Sequence, residues 1–397
     1  MKVLIVAARL CWPLNTGAKI RAYHLLRAVS RVHAVTLVSY YGKEEEKDHF
    51  LHFSDLGIKV VPVYCPQIDK AINARSGVRS LASALPLNIA KYYNPQMMKT
   101  LRDLDAAHFD VVHCEHLHMA SMIARGRSRF VLDAHNVESQ IAAQYAASEP
   151  RPLMKALLSW NQQRLERFEM KTVQSSDLVL AVSEEDRSAF AGFGAGSQVK
   201  VLENGVDIDF FQPCTGAGEG ENLVFVGSMD YKPNIGGIEY FLDEILPLIR
   251  VSHPNATLTI VGKDPSASLI NRARTREKGV VVTGTVPDVR PYLEKAALCV
   301  VPLKVGGGTR LKVLEGFAMG KAVVSTTLGC EGIDCVNRQH LLIADGPPDF
   351  ARAVVSLLDQ NEQRITLGRN ARLLAEEKYS WNALGTKLLG YYEELGR

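Results

Sequence analysis

Short, mainly apolar runs alternate with stretches of helical spacing along almost the whole chain, and no other feature limits its fold so tightly. Residues 3–7, 35–40, 58–63, 111–113, 130–133 and 178–182 form a first series of runs. Between them lie stretches with apolar residues every three or four positions. One is 17–32, with Ile20, Tyr23, Leu26 and Val29; another is 151–173, with Leu157, Leu158, Leu165 and Phe168. A strand without polar alternation must be covered on both faces, and helices on both faces of a parallel sheet provide that cover. The alternation pauses once, over residues 204–222, which are rich in Asn, Asp and Gly and lack periodicity, as linkers do. It resumes with runs at 223–226, 257–261, 280–282, 298–301 and 322–325, and with helical spacing over 233–250, 266–277, 309–319 and 347–359. The pattern predicts an α/β chain with two Rossmann-like, doubly wound parallel-sheet domains joined near residue 210. A length of 397 residues, too great for one comfortable core, agrees.

Charge and cysteine content narrow the function. A net charge of +3 is too mild for a nucleic-acid surface but suits an enzyme that handles anionic phosphates. The seven cysteines show no CxxC spacing, which points to a reducing compartment. Cys65, Cys114 and Cys299 lie at or near apolar runs and read as small buried hydrophobes. The apolar start at residues 3–7 is too short for a secretory signal, and no segment reaches the roughly 18 apolar residues that span a bilayer. The expectation is a cytoplasmic protein, soluble or bound peripherally at the inner face of the membrane. Residues 68–100 set Lys70, Arg75, Arg79, Lys91 and Lys99 against the single acid Asp69, with Ile72, Val78, Leu81, Leu85, Leu87 and Ile89 interleaved. Such a stretch reads either as a basic amphipathic surface for anionic lipid or as a solvated face packed on its domain.

Ligands of doubly wound sheets bind beyond the carboxyl ends of the strands, so the chemistry is sought in those loops. The sharpest one runs from the apolar residues 298–301 into Gly306, Gly307 and Gly308, and a helix is predicted to start near Thr309, a good N-cap residue. Glycines let the backbone approach a ligand, and free N–H groups at a helix start favour an anion. Arg310 and Lys312 fall in the predicted first turn, where cations oppose the helix dipole. A phosphate on Gly307, Gly308 and Thr309 would explain them, the two cations completing its cage. Taken singly, each also reads as a solvated base, with Lys312 pairing with Glu315 one turn on. Glu315 itself reads either as a surface partner or as an acceptor for a ribose diol.

These segments resemble a known family. Leu314-Glu-Gly-Phe-Ala-Met-Gly-Lys-Ala-Val-Val324 is similar to the Glu-Ala-Met-Ala-x-Gly-x-Pro-Val-Val signature of family-4 glycosyltransferases. The segment from Val201 to Phe211 resembles the family's interdomain Asn-Gly-Val-Asp…Phe stretch, and that from Phe225 to Ile235 the first loop of its second domain. Ala181-Val-Ser-Glu184, Ile260-Val-Gly262, Thr283-Gly-Thr-Val286 and Tyr379-Ser-Trp381 also fit, so the resemblance spans nearly the whole chain. It implies a GT-B fold: residues 1–205 as acceptor domain and 206–378 as nucleotide-sugar domain, facing across a cleft, with 379–397 as a helix crossing back to the first domain. It implies retaining transfer from a nucleotide-diphosphate sugar to a glycan or lipid-linked acceptor, as in cell-surface polysaccharide assembly.

The resemblance also assigns residues. His135, after the run at 130–133, corresponds to a histidine beside the reacting sugar. Gly17 and Arg21 belong to the loop that the family uses near donor phosphates and acceptor, while His116 and Glu115 are acceptor-side candidates. The family's Glu eight residues before Glu315 is Gly307 here, and its Arg and Lys in the first loop of the second domain fall at Ser228 and Asn234. Arg310 and Lys312 are inferred to supply the missing charge, with Lys232 as a helper. Base recognition is expected from backbone groups near Thr283, Val286 and Val289. The residues show no Asp-x-Asp motif and no zinc spacing, so neither metal nor cofactor is expected, only the nucleotide sugar as co-substrate. Two rivals share the architecture: a nucleotide-sugar 2-epimerase, which would form product from donor alone, and a non-catalytic sugar-nucleotide-binding assembly partner.

Overall fold

A computed structural model describes residues 1–68, 74–83, 85–104, 108–213, 218, 220–275, 277–305 and 310–396. The chain divides into two compact units, Met1–Glu203 with Gly385–Arg397, and Asn204–Leu384.

The first unit holds seven parallel strands: β1 (Lys2–Ala7), β2 (Ala34–Tyr41), β3 (Lys59–Tyr64), β4 (Val111–Glu115), β5 (Arg129–Ala134), β6 (Leu178–Ala181) and β7 (Val199–Val201). Their order is β3-β2-β1-β4-β5-β6-β7. Every residue of β4 and β6 is buried, as expected of central strands covered on both faces, whereas the edge strand β3 is largely accessible. The second unit carries β8 (Asn222–Val226), β9 (Thr257–Val261), β10 (Val280–Val282), β11 (Leu298–Val301), β12 (Val323–Ser325) and β13 (Leu342–Ile343), again all parallel, in the order β10-β9-β8-β11-β12-β13. The strand order reverses between β1 and β4 in one sheet and between β8 and β11 in the other. Ligands of doubly wound sheets bind at such reversals.

Most differences from the sequence reading have local causes. The edge strands β7 and β13 span three and two residues, too short to stand out as runs. The helix expected over 233–250 is three segments, Lys232–Tyr240, a wider π turn Phe241–Ile245, and Leu246–Ser252. Pro247 removes an N–H from the ladder there, which breaks its regular repeat. The turn-rich stretch after Glu203 packs within the second unit: Arg372 donates to the carbonyls of Phe211 and Ile208, and Arg290 lies over the Phe210 ring. The basic stretch forms three helices, Ala74–Ser83, Leu87–Tyr92 and Pro95–Asp103, not one continuous face. Its Arg79 turns inward, donating to the carbonyls of Ala90 and Tyr93. Lys70, Ile72 and the Arg75 side chain lie outside the described residues.

Candidate functional site

In the first unit, β4 lies beside β1 at the reversal of strand order, and β5 lies next to β4. Glu115 closes β4, and His135 follows directly on β5. Their side chains meet, His135 Nε2 lying 2.7 Å from Glu115 Oε1. The other Glu115 oxygen faces His113 Nε2 at 3.3 Å, and His113 Nδ1 shares a 2.7 Å hydrogen bond with the Tyr392 hydroxyl. His116 adopts φ 69°, ψ 145°, a conformation costly for any residue with a Cβ, and its ring lies 3.7 Å from that of His135. Sequence reading thus located His135, His116 and Glu115, but not that Glu115 joins His135 to His113.

Burial sets the protonation states. It disfavours the charged form of Glu115, yet His135 and His113 outweigh it and hold that carboxyl well below its ordinary range. His116 is pushed well below its ordinary value by burial and by His135, and His118 falls to about 4 by burial, Lys91 and His135. Glu138 rises to about 7 through burial and its neighbour Glu169. Glu169 is buried because it caps the helix Glu138–Ser148, accepting from the N–H groups of Glu138 and Ser139 at 2.7 and 3.0 Å. A cavity of about 440 Å³ opens over this group, lined by Cys11, Lys19, Tyr92, His116, His118 and Glu138 among others. Neutral imidazoles, an ionised carboxylate and a carboxyl near half-protonation can bind hydroxyl groups and accept a proton from one.

Two overlapping sets among the described residues, Glu115 with His116 and His135, and His113 with Glu115 and Asp133, bring ligand atoms within 4.8 Å of one another. These are the side chains that would hold a metal ion. Sequence spacing hides them because each set draws on two strand ends.

One expectation for this unit changes. Arg21 does not face the cavity. It is fully buried, its guanidinium on Asp133 at 2.8 Å and on the Glu203 carbonyl at 2.8 Å, because the helix Gly17–Ser30 turns it towards the sheet. Gly17 opens that helix behind Thr16, whose hydroxyl accepts from Lys19 N at 3.4 Å. Thr16 and Lys19 line the cavity.

In the second unit the helix after β11 begins at Leu311 with Arg310 as its N-cap, later than the predicted start. Gly306, Gly307, Gly308 and Thr309 lie outside the described residues. Lys312 does not pair with Glu315. Its ammonium donates to Asn234 Oδ1 at 2.6 Å and lies 4.2 Å over the Phe225 ring. Asn234, in turn, donates to the Ser228 carbonyl at 2.8 Å. The Lys312 charge therefore stands against the first loop of this unit, the loop whose Ser228 and Asn234 replace the family's Arg and Lys. A Cβ on Gly227 would crowd it, lying 2.8 Å from both Lys312 Nζ and Asn234 Nδ2. Burial, reinforced by Arg310, lowers Lys312 to about 7, and burial, against the pull of Lys312, raises Glu315 to about 7.

Arg310 turns towards the loop after β12, with Nε 3.3 Å from the Leu328 carbonyl and Nη2 3.7 Å from Glu331. The Ser228 hydroxyl is occupied by Asp230 at 2.5 Å, and Lys232 is exposed at the start of its helix. Thr283 lines a cavity of about 410 Å³ with Arg274 and Ile270, whereas Val286 and Val289 pack against the core. Sequence reading missed Asn234 as a partner, Phe225 as a platform, and Leu328 and Glu331 as the seat of Arg310.

Two all-parallel doubly wound units in one chain, with ionisable groups gathered at both reversals of strand order, define the GT-B class of glycosyltransferase fold. Residues 15–210 match the family described as Glycosyltransferase Family 4, and residues 220–360 that described as Glycosyl transferases group 1; the chain belongs to these group-1, family-4 glycosyltransferases. It is 22% identical over 395 residues to an uncharacterized 44.6 kDa protein in the cps region of Klebsiella pneumoniae, covering 95% of this chain and 96% of the relative. It is 26% identical over 258 residues to the GDP-mannose-dependent alpha-(1-6)-phosphatidylinositol monomannoside mannosyltransferase of Mycobacterium tuberculosis, covering 59% and 66% of the two chains. HepE of Anabaena, solved in complex with UDP, shares the fold with a TM-score of 0.69 over 99% of this chain and 100% of that one, at 15% identity.

Proposed function

We propose that this glycosyltransferase takes its sugar from a nucleotide-diphosphate donor and passes it, with retention and without a metal ion, to a glycan or lipid-linked acceptor in cell-surface polysaccharide assembly. The observation that carries the reading is the Lys312 ammonium, half-buried against Gly227 and Asn234 and driven towards neutrality by burial. A diphosphate would restore its charge. Breaking the anomeric C–O bond leaves negative charge on that diphosphate, and Lys312, with Arg310 and the helix N–H groups, would stabilise it. Glu315, one turn on, would accept from the ribose hydroxyls. His135, held by Glu115, would hydrogen-bond the transferring sugar, and His116 and Glu138 would receive the acceptor hydroxyl.

Two relatives lend support: one lies in a cps region, and one acts on phosphatidylinositol monomannoside. No described helix is long and apolar enough to cross a membrane. The start of the helix Pro152–Gln174 exposes Leu153, Leu157 and Trp160 beside Arg151, Lys155 and Arg164, and Val78 and Leu81 are exposed on the helix that Arg164 binds through Ser80. We assign to this face a peripheral contact with anionic lipid at the cytoplasmic side of the membrane. Co-sedimentation with vesicles tests it: binding that needs anionic lipid and weakens in Trp160→Glu is expected, and binding indifferent to lipid charge removes it.

The donor reading is tested by a thermal-shift panel of UDP, GDP, ADP and CMP, each with and without EDTA. Strong stabilisation by one diphosphate, unchanged by EDTA and lost in Lys312→Ala, is expected. No stabilisation by any of them would sink the reading. NMR of the product then decides retention from inversion.

A further inference from the structure

Glu115 lies between two histidines, and only one of them, His135, has a part in the function proposed above. The other, His113, stands two residues earlier on β4 and is buried. Its Nε2 lies 3.3 Å from Glu115 and 3.9 Å from Asp133. Its Nδ1 shares a 2.7 Å hydrogen bond with the hydroxyl of Tyr392, 279 residues further along the chain. Tyr392 is fully buried and belongs to the segment Gly385–Arg397 of the first unit.

The carboxylates decide where the ring protons sit. An ionised carboxyl only accepts, so a ring nitrogen facing one carries N–H. His135 Nε2, 2.7 Å from Glu115 and 3.8 Å from Asp133, therefore donates. His113 Nε2 faces the same two carboxyl groups and carries N–H as well. A neutral imidazole has a single N–H, so His113 Nδ1 accepts and the Tyr392 hydroxyl donates to it. By the same count His135 Nδ1 is an acceptor. Among the described residues nothing hydrogen-bonds to that atom, and it is not sealed from solvent. The His116 ring, 3.7 Å away, covers one face of His135.

We infer that Tyr392 and His113 are positioning residues that, through Glu115, hold His135 as its Nε2–H tautomer, so that His135 meets the transferring sugar as a hydrogen-bond acceptor and selects a sugar hydroxyl that donates to it. A deoxy or fluoro sugar has no O–H to offer there and leaves Nδ1 unpaired. The sugar contact rests on the donor reading above; the direction of the hydrogen bonds does not.

Glu115→Gln tests the direction. An amide has one accepting and one donating side, and in place of an orienting carboxylate it turns a ring to the other tautomer. Asp133 faces both histidines equally and cannot choose between them. Tyr392 can, because its hydroxyl holds His113 as Nε2–H. The Gln oxygen then faces His113, its NH2 faces His135, and His135 is driven to Nδ1–H. Side-chain nitrogen-15 NMR of the full chain, labelled in histidine, distinguishes a protonated from a bare ring nitrogen. At about pH 8 an unperturbed imidazole is neutral. The wild type should show Nε2–H on both His113 and His135. Glu115→Gln should invert His135 alone, and Tyr392→Phe/Glu115→Gln should show both tautomers of His135. Calorimetry adds the affinity ratios of UDP-glucose to UDP and of GDP-mannose to GDP. For whichever pair binds, Glu115→Gln should lower the ratio about tenfold, the worth of one hydrogen bond. Nδ1–H on His135 in the wild type, or Nε2–H persisting there in Glu115→Gln, would overturn the assigned direction. Full inversion with or without the Tyr392 hydroxyl would overturn the part given to Tyr392. An unchanged ratio beside an inverted ring would overturn the sugar contact. Failure of all four probes to bind would count against the donor reading, while the NMR still decides the tautomer.

Discussion

Arg21 and Asp133 are both fully buried and face each other through three hydrogen bonds, the shortest 2.8 Å, from the first helix of the first unit to its fifth strand. Asp133 Oδ2 also lies 3.9 Å from His113 and 3.8 Å from His135, so this ion pair underlies the histidine–carboxylate group. Removing one member leaves an uncompensated buried charge. Arg21→Met alone should cost about 3–5 kcal/mol. The double variant Arg21→Met/Asp133→Leu should cost less than the sum of the single changes, because no charge is stranded. Urea denaturation of the four proteins measures this, and additive costs would contradict the pairing.

The two glycines of neighbouring strand ends predict opposite outcomes. A Cβ on Gly262 would lie 1.8 Å from the Gly227 carbonyl oxygen, a backbone atom held by the sheet, so Gly262→Ala should destabilise by about 1–3 kcal/mol or more. A Cβ on Gly227 meets only side-chain ends at under 3.0 Å, those of Lys312 and Asn234, which can shift. Gly227→Ala should leave the melting temperature nearly unchanged and weaken nucleoside-diphosphate binding, as calorimetry on both variants would read out.

Lys312 makes donor binding depend on pH. Its folded value of about 7 lies below the ordinary 10.5, so burial costs stability at low pH, and the cost is relieved as pH rises from 7 to 10.5. Glu315, raised from 4.5 to about 7, works the other way, losing stability as pH rises through that window. The pair is thus least favourable near neutrality without ligand. A diphosphate needs the charged lysine, so binding takes up a proton, and affinity should fall up to about tenfold per pH unit above 7. Lys312→Arg, whose guanidinium stays charged, should flatten the profile. Titration calorimetry at about pH 6 and about pH 8.5 checks both the slope and the proton uptake.

His116 sets stability against activity. Its φ of 69° belongs to a region that glycine enters freely, so His116→Gly should stabilise the protein by about 1–3 kcal/mol while removing a ring from the cavity. A rise in melting temperature with a large loss of transfer rate is expected. Loss of both would show that the ring also supports the fold.

Much of this was legible in the residues. Unbroken apolar runs such as Leu178–Ala181 have to lie between two layers of helices, so the two parallel sheets follow from local pattern alone. The cations Arg310 and Lys312 are conspicuous because they oppose a helix dipole, and His135 because it follows a buried strand directly. What they touch was not legible. Lys312 reads as the partner of Glu315 one turn away, but its ammonium rests on Asn234, 78 residues earlier in the chain, and Arg21, read as a loop residue, is committed to Asp133. Periodicity fixes which face of an element is buried, because that depends on residues three or four apart. A long side chain chooses its partner from whatever strand order places beside it, so the hydrogen bonds and protonation states at the two reversals were decided only by the tertiary structure.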